Sequence, residues 1–446
     1  MRSPTRFLLA ALLLTGSFAS AAPTPPSADK INARIARDVQ WYQSTLRTTK
    51  CDANANAALA AAAQAWSYDP ARPGNEEERA WQASRKAIKG DCSDGLLRYV
   101  HARMYSIAAM ESTEEAARLA REAAAALDRD DSPAIFKVMG HVRAAETIIA
   151  DARAKSATSA PGASEHLDAA LALWPKVAQS DIPQNLLVSV FQDELDADRD
   201  LLKDRRTRAA PILDAYAKKP VLLQLLRARL AIDTAWDARG NATIDRTTST
   251  AAKTFVARLE EAQKEALKLQ TLDPTSPAVA PLMLAVLLGT NCDRETMDAW
   301  FRYGLALDPG NSGLWYARLH HLEPRWNGSV EEMLEVGREA VATKQWALRT
   351  PFVLVFAYQQ LADDDPQFFE NPQVCRDIRA IYEPFLKQYP DAYYERSGYA
   401  MLLYRCHDLA GANREIKQLG AERRIGPFST KAKFDKIKIE AALNAK

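Results

Sequence analysis

The sequence predicts an all-α protein built as an α-α superhelix. Apolar residues recur at helical spacing in segment after segment, and no stretch shows the apolar/polar alternation of a half-buried strand. Only 17 residues are Gly, and most of the 23 Pro stand between the periodic segments rather than inside them. Proline interrupts a helix beyond its first turn, so this placement is typical of short helices joined by turns.

Residues 1–21 match a secretory signal peptide. Arg2 and Arg6 form a basic start, residues 7–14 are an apolar run, and residues 19–21 have the small side chains of a cleavage site. The run is shorter than the roughly 20 residues that a membrane-spanning helix needs, and no later stretch reaches that length. We therefore expect an exported chain, periplasmic or secreted, with no membrane span.

The charge of the chain is close to zero, with 58 Lys and Arg against 57 Asp and Glu. Removal of residues 1–21 takes away two basic residues and leaves 56 against 57, a net charge of −1. Such a chain lacks the electrostatic field that attracts nucleic acid or anionic lipid, so we expect neither partner. The length suffices for two or three domains.

Two small, polar segments divide the predicted helices into three blocks. These segments, "KSATSAPGAS" and "RGNATIDRTTST", have few large apolar side chains to anchor a buried element. The blocks are an N-terminal helical domain over 29–155, a middle helical segment over 164–238 and a C-terminal domain over 250–446. The predicted helices are 29–47, 54–67, 76–89, 93–110, 113–128, 133–155, 164–179, 183–204, 206–218, 220–238, 250–270, 277–289, 294–307, 312–322, 330–343, 351–362, 373–388, 391–406, 409–420 and 430–443.

The third block has an internal repeat. Three of its helices end in Asp-Pro or Tyr-Pro, and each time the next helix begins within a few residues. Pro274, Pro309 and Pro390 lie 35 and 81 residues apart, and the longer interval holds two further units around Pro351. This spacing predicts stacked two-helix units.

One repeat junction resembles the tetratricopeptide-like superfamily of helical repeats. It has that family's aromatic, small, proline and next-repeat tryptophan residues at the family's spacing. At other junctions Ala280 and Arg396 stand in place of the tryptophan. The resemblance therefore implies the superhelical architecture of the C-terminal half and no ligand-binding residue. The matching residues are Phe301, Gly304, Pro309 and Trp315.

Residues 255–425, centred on "PRWNGSVEEM", are also similar to a bacterial exported helical domain family of unassigned activity. Within this motif Pro324 ends a helix, Asn327 and Gly328 tolerate positive φ, and Ser329 begins a capping box for the next helix. The motif therefore predicts a helix–turn–helix corner.

The side chains of this corner give the first candidate ligand contacts. Trp326 would cover the apolar ends of both helices. Arg325 would either stack on the Trp326 ring or contact an anion or another ligand.

Five cysteines lie in the part of the chain expected to reach an oxidising compartment, which favours disulfides. Cys51 and Cys92 lie at the same end of one predicted helical hairpin, and Cys375 and Cys406 at the same end of another. These are the predicted pairs. Cys292 is left over, as a buried thiol, a link to another chain or a reactive thiol.

Motifs of known enzymes and metal sites are missing from the sequence. It has no nucleophile elbow, no phosphate-binding glycine loop, no His-Glu-x-x-His and no Cys-x-x-Cys. The segment 196–207 begins like a calcium loop, but Leu201 and Thr207 replace the required Gly and Glu. We expect no cofactor, no metal and no assignable catalytic residue.

Two groups of carboxylates keep a hydrolase possible. Glu331, Glu332 and Glu335 share one predicted helix, and residues 363–365 are three consecutive Asp. Two carboxylates across a groove can cleave a glycosidic bond. Solvation of a helix terminus and a loop explains the same residues.

Adjacent aromatic pairs are the other candidate ligand contacts. Trp315-Tyr316 and Tyr393-Tyr394 are neighbours on predicted helices, and such neighbours cannot both face one core. One member of each pair should be exposed or meet another chain.

These patterns together favour a protein-binding or assembly scaffold, because helical-repeat arrays present extended binding surfaces. The expected partner is a protein or a peptide. Enzymatic activity stays open, with a carboxylate-dependent hydrolase of cell-wall or sugar polymers as the first alternative. A protein that neutralises a delivered toxin is the second.

Overall fold

A computed structural model describes residues 22–47, 51–67, 69–90, 92–109, 112–202, 204–240, 248–290, 292–326, 328–365 and 367–444. Over these ranges the protein is all-α, with twenty α-helices and no β-strand. The predicted fold class is confirmed. The predicted signal peptide, residues 1–21, lies outside the described residues.

Each predicted helix has a counterpart with ends that differ by a few residues. One predicted helix differs in type, because α4 is followed directly by a π-helix, Tyr105–Ala109. Three short 3₁₀ turns also occur, at Phe368–Glu370, Gly420–Glu422 and Gly426–Phe428. The α-helices are α1 Ala28–Thr45, α2 Ala53–Trp66, α3 Glu76–Lys89, α4 Gly95–Met104, α5 Thr113–Arg129, α6 Ala134–Ala154, α7 Ala163–Val177, α8 Gln184–Leu202, α9 Arg205–Ala215, α10 Pro220–Arg239, α11 Ser249–Leu272, α12 Val279–Gly289, α13 Arg294–Leu307, α14 Gly313–His321, α15 Val330–Ala342, α16 Phe352–Asp364, α17 Pro372–Gln388, α18 Tyr393–Arg405, α19 Leu409–Leu419 and α20 Lys431–Leu443.

The repeat junction that carries the family resemblance packs as its residue types require. The Phe301 ring meets the Trp315 ring edge-on with centroids 4.9 Å apart. At Gly304 a side chain would come within 2.8 Å of Ala280 and 2.9 Å of Leu314. Helices α12, α13 and α14 therefore meet at a point where only a glycine fits.

Three large hydrophobic clusters form the core along the superhelix. The first draws its side chains from residues 42–230, the second from Ile31 and residues 225–357, and the third from residues 354–441. The first cluster thus includes side chains from both the predicted N-terminal domain and the predicted middle segment. The three-block division stays a prediction, and the core runs across its first boundary.

Helix α1 bridges the first two clusters. Its Ile31 side chain packs in the second cluster and its Tyr42 side chain in the first. Between them, the guanidinium of Arg34, which is 6% exposed, donates to the backbone carbonyl of Leu307 at the end of α13. The carboxyl end of a helix carries partial negative charge, so it is a favourable place for this cation.

The beginning and the end of the superhelix are in direct contact. The amide of Asn75 donates to both carboxylate oxygens of Asp391, at 3.1 and 3.0 Å. Gln82 and Arg85 donate to Glu422 at 2.8 and 3.0 Å. This closing seam, the contact of residues 74–85 with C-terminal elements, joins groups more than 300 positions apart in the sequence.

A buried ion pair lies at the centre of the closing seam. The Arg424 guanidinium donates to the Glu78 carboxylate at 2.5 Å, and their side chains are 2% and 7% exposed. Burial raises the pKa of Glu78, while the nearby Arg424 charge opposes that shift. The backbone N–H of Arg424 also donates to the hydroxyl of Ser397 at 3.0 Å. A charge buried in this way is tolerated only with its partner in place.

Replacing Arg424 tests the seam. Arg424→Met leaves the Glu78 carboxylate buried without its cation, and we expect the free energy of unfolding to fall by about 3–5 kcal/mol. Urea denaturation followed by circular dichroism measures the change. The control is Arg414→Met, because Arg414 is 58% exposed and its loss should cost less than about 1 kcal/mol. Equal effects of the two substitutions would contradict a seam held by the buried pair.

Candidate functional site

The predicted corner at residues 322–330 packs differently from its predicted arrangement. Arg239 of α10, rather than Arg325, lies over the Trp326 ring, with its guanidinium 5.4 Å from the ring centroid. Trp236 also meets Trp326 edge-on at 5.9 Å. Arg325 is 65% exposed and pairs with Glu323 at 2.5 Å. The Trp326 ring therefore packs against α10, and the sequence around residue 326 does not indicate this contact.

The capping of α15 agrees with the sequence. The Ser329 hydroxyl accepts from the backbone N–H of Glu332 at 3.3 Å, and it donates to the Glu332 carboxylate at 3.0 Å. Arg294 pairs with the same carboxylate at 2.7 Å. Hydrogen bonds from Arg294, followed by those from Ser329, lower the pKa of Glu332. This member of the predicted carboxylate group is thus engaged in a cap. Asn327 lies outside the described residues.

The first aromatic pair lies against the core. Trp315 is 4% exposed, and Tyr316 is half-buried with its ring 4.9 Å from that of Phe356. Burial raises the pKa of Tyr316. Their positions support packing between repeats, and ligand contact by this pair stays a prediction.

The second aromatic pair lies at the closing seam. The Arg424 guanidinium stands 5.5 Å from the centroid of the Tyr393 ring. Tyr394 is 43% exposed, and a side chain at Gly426 would come within 3.2 Å of its ring. Tyr394 is therefore an accessible aromatic side chain beside the 3₁₀ turn at 426–428.

The predicted cysteine pairs lie at disulfide distance. The Cα atoms of Cys51 and Cys92 are 5.7 Å apart, and those of Cys375 and Cys406 are 5.9 Å apart. Cys292 is half-buried, and burial, with the nearby Asp293 carboxylate, raises its pKa to about 11. The thiolate is the reactive form, so this environment supports the inert thiol among the three states predicted for Cys292.

A polar pocket of about 450 Å³ opens between α4, α5, α6 and α8. Charged side chains line two of its walls. Arg143 and Glu146 lie on α6 and pair at 3.1 Å, and Asp196 lies on α8. Ser106 enters from the π-helix that ends α4, a type of element frequent at functional sites. The lining residues are Ser106, Thr113, Ala116, Arg143, Glu146, Thr147, Ile149, Ala150, Arg153, Asp196 and Ala197.

One charged group of the polar pocket, Asp196, is held by a buried arginine. Arg205 is 4% exposed at its side chain and pairs with Asp196 at 2.7 Å. The same guanidinium reaches Asp237 at 2.9 Å and Asp233 at 3.4 Å. Asp196 is thereby fixed in orientation at the pocket wall. Two of the partners of Arg205, Asp233 and Asp237, come from α10, which the local sequence of α8 does not indicate.

One carboxyl near the polar pocket, that of Asp193, has a raised pKa. Asp193 lies one helical turn before Asp196 on α8, and burial raises its pKa to about 6. The Glu146 charge raises it further, whereas Arg103 and Arg143 act in the opposite direction. A carboxyl with a raised pKa can act as a general acid when a second carboxyl lies across the substrate from it. No sequence motif marks Asp193 or Glu146, since they come from separate helices.

Within the described part of the chain, no group of three or more His, Cys, Asp or Glu side chains is arranged to hold a metal ion. None of the helices described has both the length and the apolar character that a membrane crossing needs.

No protein-family model matches the sequence, and no curated protein does. Among solved structures, the chain has a likeness to the one titled "Structure of Naa15/Naa10 bound to HypK-THB". The identity is 11%, the match covers 93% of this chain and 79% of the other, and the TM-score is 0.17. That TM-score is too low to transfer a fold or a partner. The family resemblances therefore stay predictions from the sequence, and the structure adds that the described residues are all-α.

The cysteine assignment predicts the outcome of peptide mapping. Under non-reducing conditions we expect linked peptides for Cys51 with Cys92 and for Cys375 with Cys406, and an unlinked Cys292. Replacing Cys375 and Cys406 by Ser should lower the free energy of unfolding by about 4 kcal/mol, because the closed loop no longer restricts the unfolded chain. Cys292→Ser is the matched control and should keep both linkages. A linked peptide that contains Cys292 would overturn the assignment.

Proposed function

We propose that this protein is a binding scaffold for a protein or peptide partner and that it works outside the cytoplasm. The proposal is supported by one surface, the accessible apolar side chains that flank the 3₁₀ turn at 426–428. A scaffold and a toxin-neutralising protein would use such a surface in the same way. The identity of the partner distinguishes these two roles.

The surface lies where the beginning and the end of the chain meet. Ile107 is 40% exposed on the π-helix that follows α4, and this π-helix contacts the 426–428 turn. Tyr394, which lies beside Gly426 of the same turn, is 43% exposed. Aromatic residues are enriched among the side chains that contribute most to protein binding, because they combine a large apolar area with a polar end.

Acidic groups surround the exposed tyrosine. Burial of part of its ring raises the pKa of Tyr394, and the charges of Glu395 and Glu77 act in the same direction. Glu395 is bonded to Arg349, so Glu77 is the acidic group on the α3 side of the ring. An apolar contact beside a carboxylate favours a partner segment with a basic residue next to an apolar one.

Export is supported by two independent features. Residues 1–21 match a signal peptide, and four cysteines lie in two pairs at disulfide distance. Disulfides persist in oxidising compartments and are rare in the cytosol.

Site-specific photo-crosslinking tests the scaffold. A photoreactive phenylalanine analogue at position 394 should link the protein to one defined partner in its native envelope, identified by mass spectrometry. The same analogue at Lys253, an exposed residue of α11, is the control and should not. With that partner purified, Tyr394→Glu should weaken binding by roughly 30-fold, as expected for a central aromatic contact. Equal labelling from both positions, or unchanged affinity, would count against this surface.

A second candidate function, a carboxylate-dependent hydrolase, is favoured by Glu146 in the wall of the polar pocket and by Asp193 on α8, one turn before the lining residue Asp196. In it Asp193, with its pKa of about 6, donates a proton to the leaving group while Glu146 acts as the base or nucleophile.

Activity on a soluble β-glucan and on peptidoglycan tests the hydrolase. The release of reducing ends should fall as the pH rises above about 6, since Asp193 must be protonated to donate. Asp193→Asn and Glu146→Gln should each abolish release, whereas Asp181→Asn, at a fully exposed carboxylate, should not. Release that survives both substitutions, or no release from the wild type, removes this candidate.

A further inference from the structure

Two histidines face each other head-on between α6 and α7. The Nδ1 atoms of His141 and His166 are 3.0 Å apart, and the ring centroids are 5.3 Å apart. The centroid distance equals the Nδ1–Nδ1 distance plus about one ring radius at each end, so the two nitrogens point at one another. On the far side of its ring, His141 Nε2 lies 3.2 Å from a carboxylate oxygen of Asp128 on α5. These three residues are called the imidazole latch.

The bonds of the latch fix where its protons are. The Asp128 carboxylate accepts, so His141 carries its proton on Nε2 and presents a bare Nδ1. The bond between the rings then requires His166 to donate from its Nδ1. A single further proton can occupy His166 Nε2 and leave this bond intact, but protonation of both rings would place two N–H groups head-on at 3.0 Å, with no acceptor between them. The latch can therefore hold only one proton between its rings.

The surroundings do not compensate for a second positive charge. His141 is 7% exposed and His166 is half-buried. Burial is the main cause that lowers the pKa of His166, and the charges of His141 and Arg121 on α5 lower it further. Asp128 and Glu165 on α7 act in the opposite direction without reversing the shift.

Little else holds the first turn of α7 in place. It packs on a small cluster separate from the main core, in which four of the seven buried side chains are alanine. Beyond that turn α7 is anchored, because Arg208 donates to the Leu167 carbonyl and Trp174 is fully buried. A segment with few large apolar contacts can open locally without global unfolding.

The small cluster also forms part of the polar pocket. Ile149 and Ala197 belong to both. A movement at the first turn of α7 therefore changes the packing beside that pocket.

We propose that the Asp128–His141–His166 chain is an acid-sensitive latch that releases the first turn of α7, residues 163–166, when both histidine rings are protonated. In neutral conditions the shared proton ties α5, α6 and α7 together. In acid the two protonated rings separate, and the wall of the polar pocket beside Ile149 loosens. The proposal is independent of the scaffold and hydrolase functions.

The sign of the pH dependence follows from the direction of the shift. The pKa of His166 in the folded protein lies below its ordinary value of 6.5. Below about pH 6.5 the open state takes up a proton that the closed state resists, so stability present at neutral pH is lost as the pH falls.

Hydrogen exchange measured by mass spectrometry tests the latch. Peptides that cover residues 156–167 are compared at about pH 7.5 and about pH 5, after correction for intrinsic exchange rates. We expect several-fold faster exchange at the lower pH in the wild type. His166→Gln keeps a hydrogen-bonding side chain that does not titrate, and it should remove this difference.

The control is His320→Gln, at a partly exposed histidine of α14 that should leave the difference unchanged. A second variant, His141→Gln, guards against a local defect at position 166. A wild type without any pH difference, or a difference that persists in both latch variants, would overturn the proposal. Circular dichroism at both pH values should show that all variants remain folded.

Discussion

The architecture depends on a charge that is buried where the two ends of the superhelix meet. Helical repeats stack by burying one apolar face on the next, which leaves the first and last repeats with unequal surroundings. Here the first helices lie against the last, and Glu78 and Arg424 are both taken out of water at that contact. Each is tolerable only because the other is there. Closure therefore sets the positions of Tyr394 and Ile107, which belong to opposite ends of the chain.

Two kinds of site coexist in this protein. The closing seam presents apolar side chains to solvent, whereas the polar pocket brings charged groups of α6 and α8 together. The first suits a partner that buries apolar area, and the second suits proton transfer or a small polar ligand. The imidazole latch includes His166 of α7, and the first turn of that helix packs on the small cluster that also forms part of the pocket. The proposed latch would therefore couple the pocket to the protonation of the histidine pair.

The helices could be predicted from the sequence because their signals are local. Apolar spacing, prolines at junctions and caps such as Ser329 each act within a few residues. The cysteine pairs could be proposed from the sequence too, since a helical hairpin fixes which helix ends are neighbours. The closing seam and the polar pocket could not be predicted. Glu78 and Arg424 of the seam are 346 positions apart, and nothing near either one indicates its partner. Arg325 shows the same limit: local reasoning offered it the Trp326 ring or a ligand, and the arginine over that ring is the distant Arg239.

The separation of Glu78 from Arg424 also has a consequence for how the chain is made. Synthesis proceeds from the amino end, so α3 emerges while the residue that neutralises its carboxylate does not yet exist. Until then the Glu78 side chain stays hydrated and the first repeats lack part of their final packing, which delays complete folding to the last stage of synthesis. The export proposed above would require a chain that is still unfolded when it crosses a membrane, and such a delay favours that state.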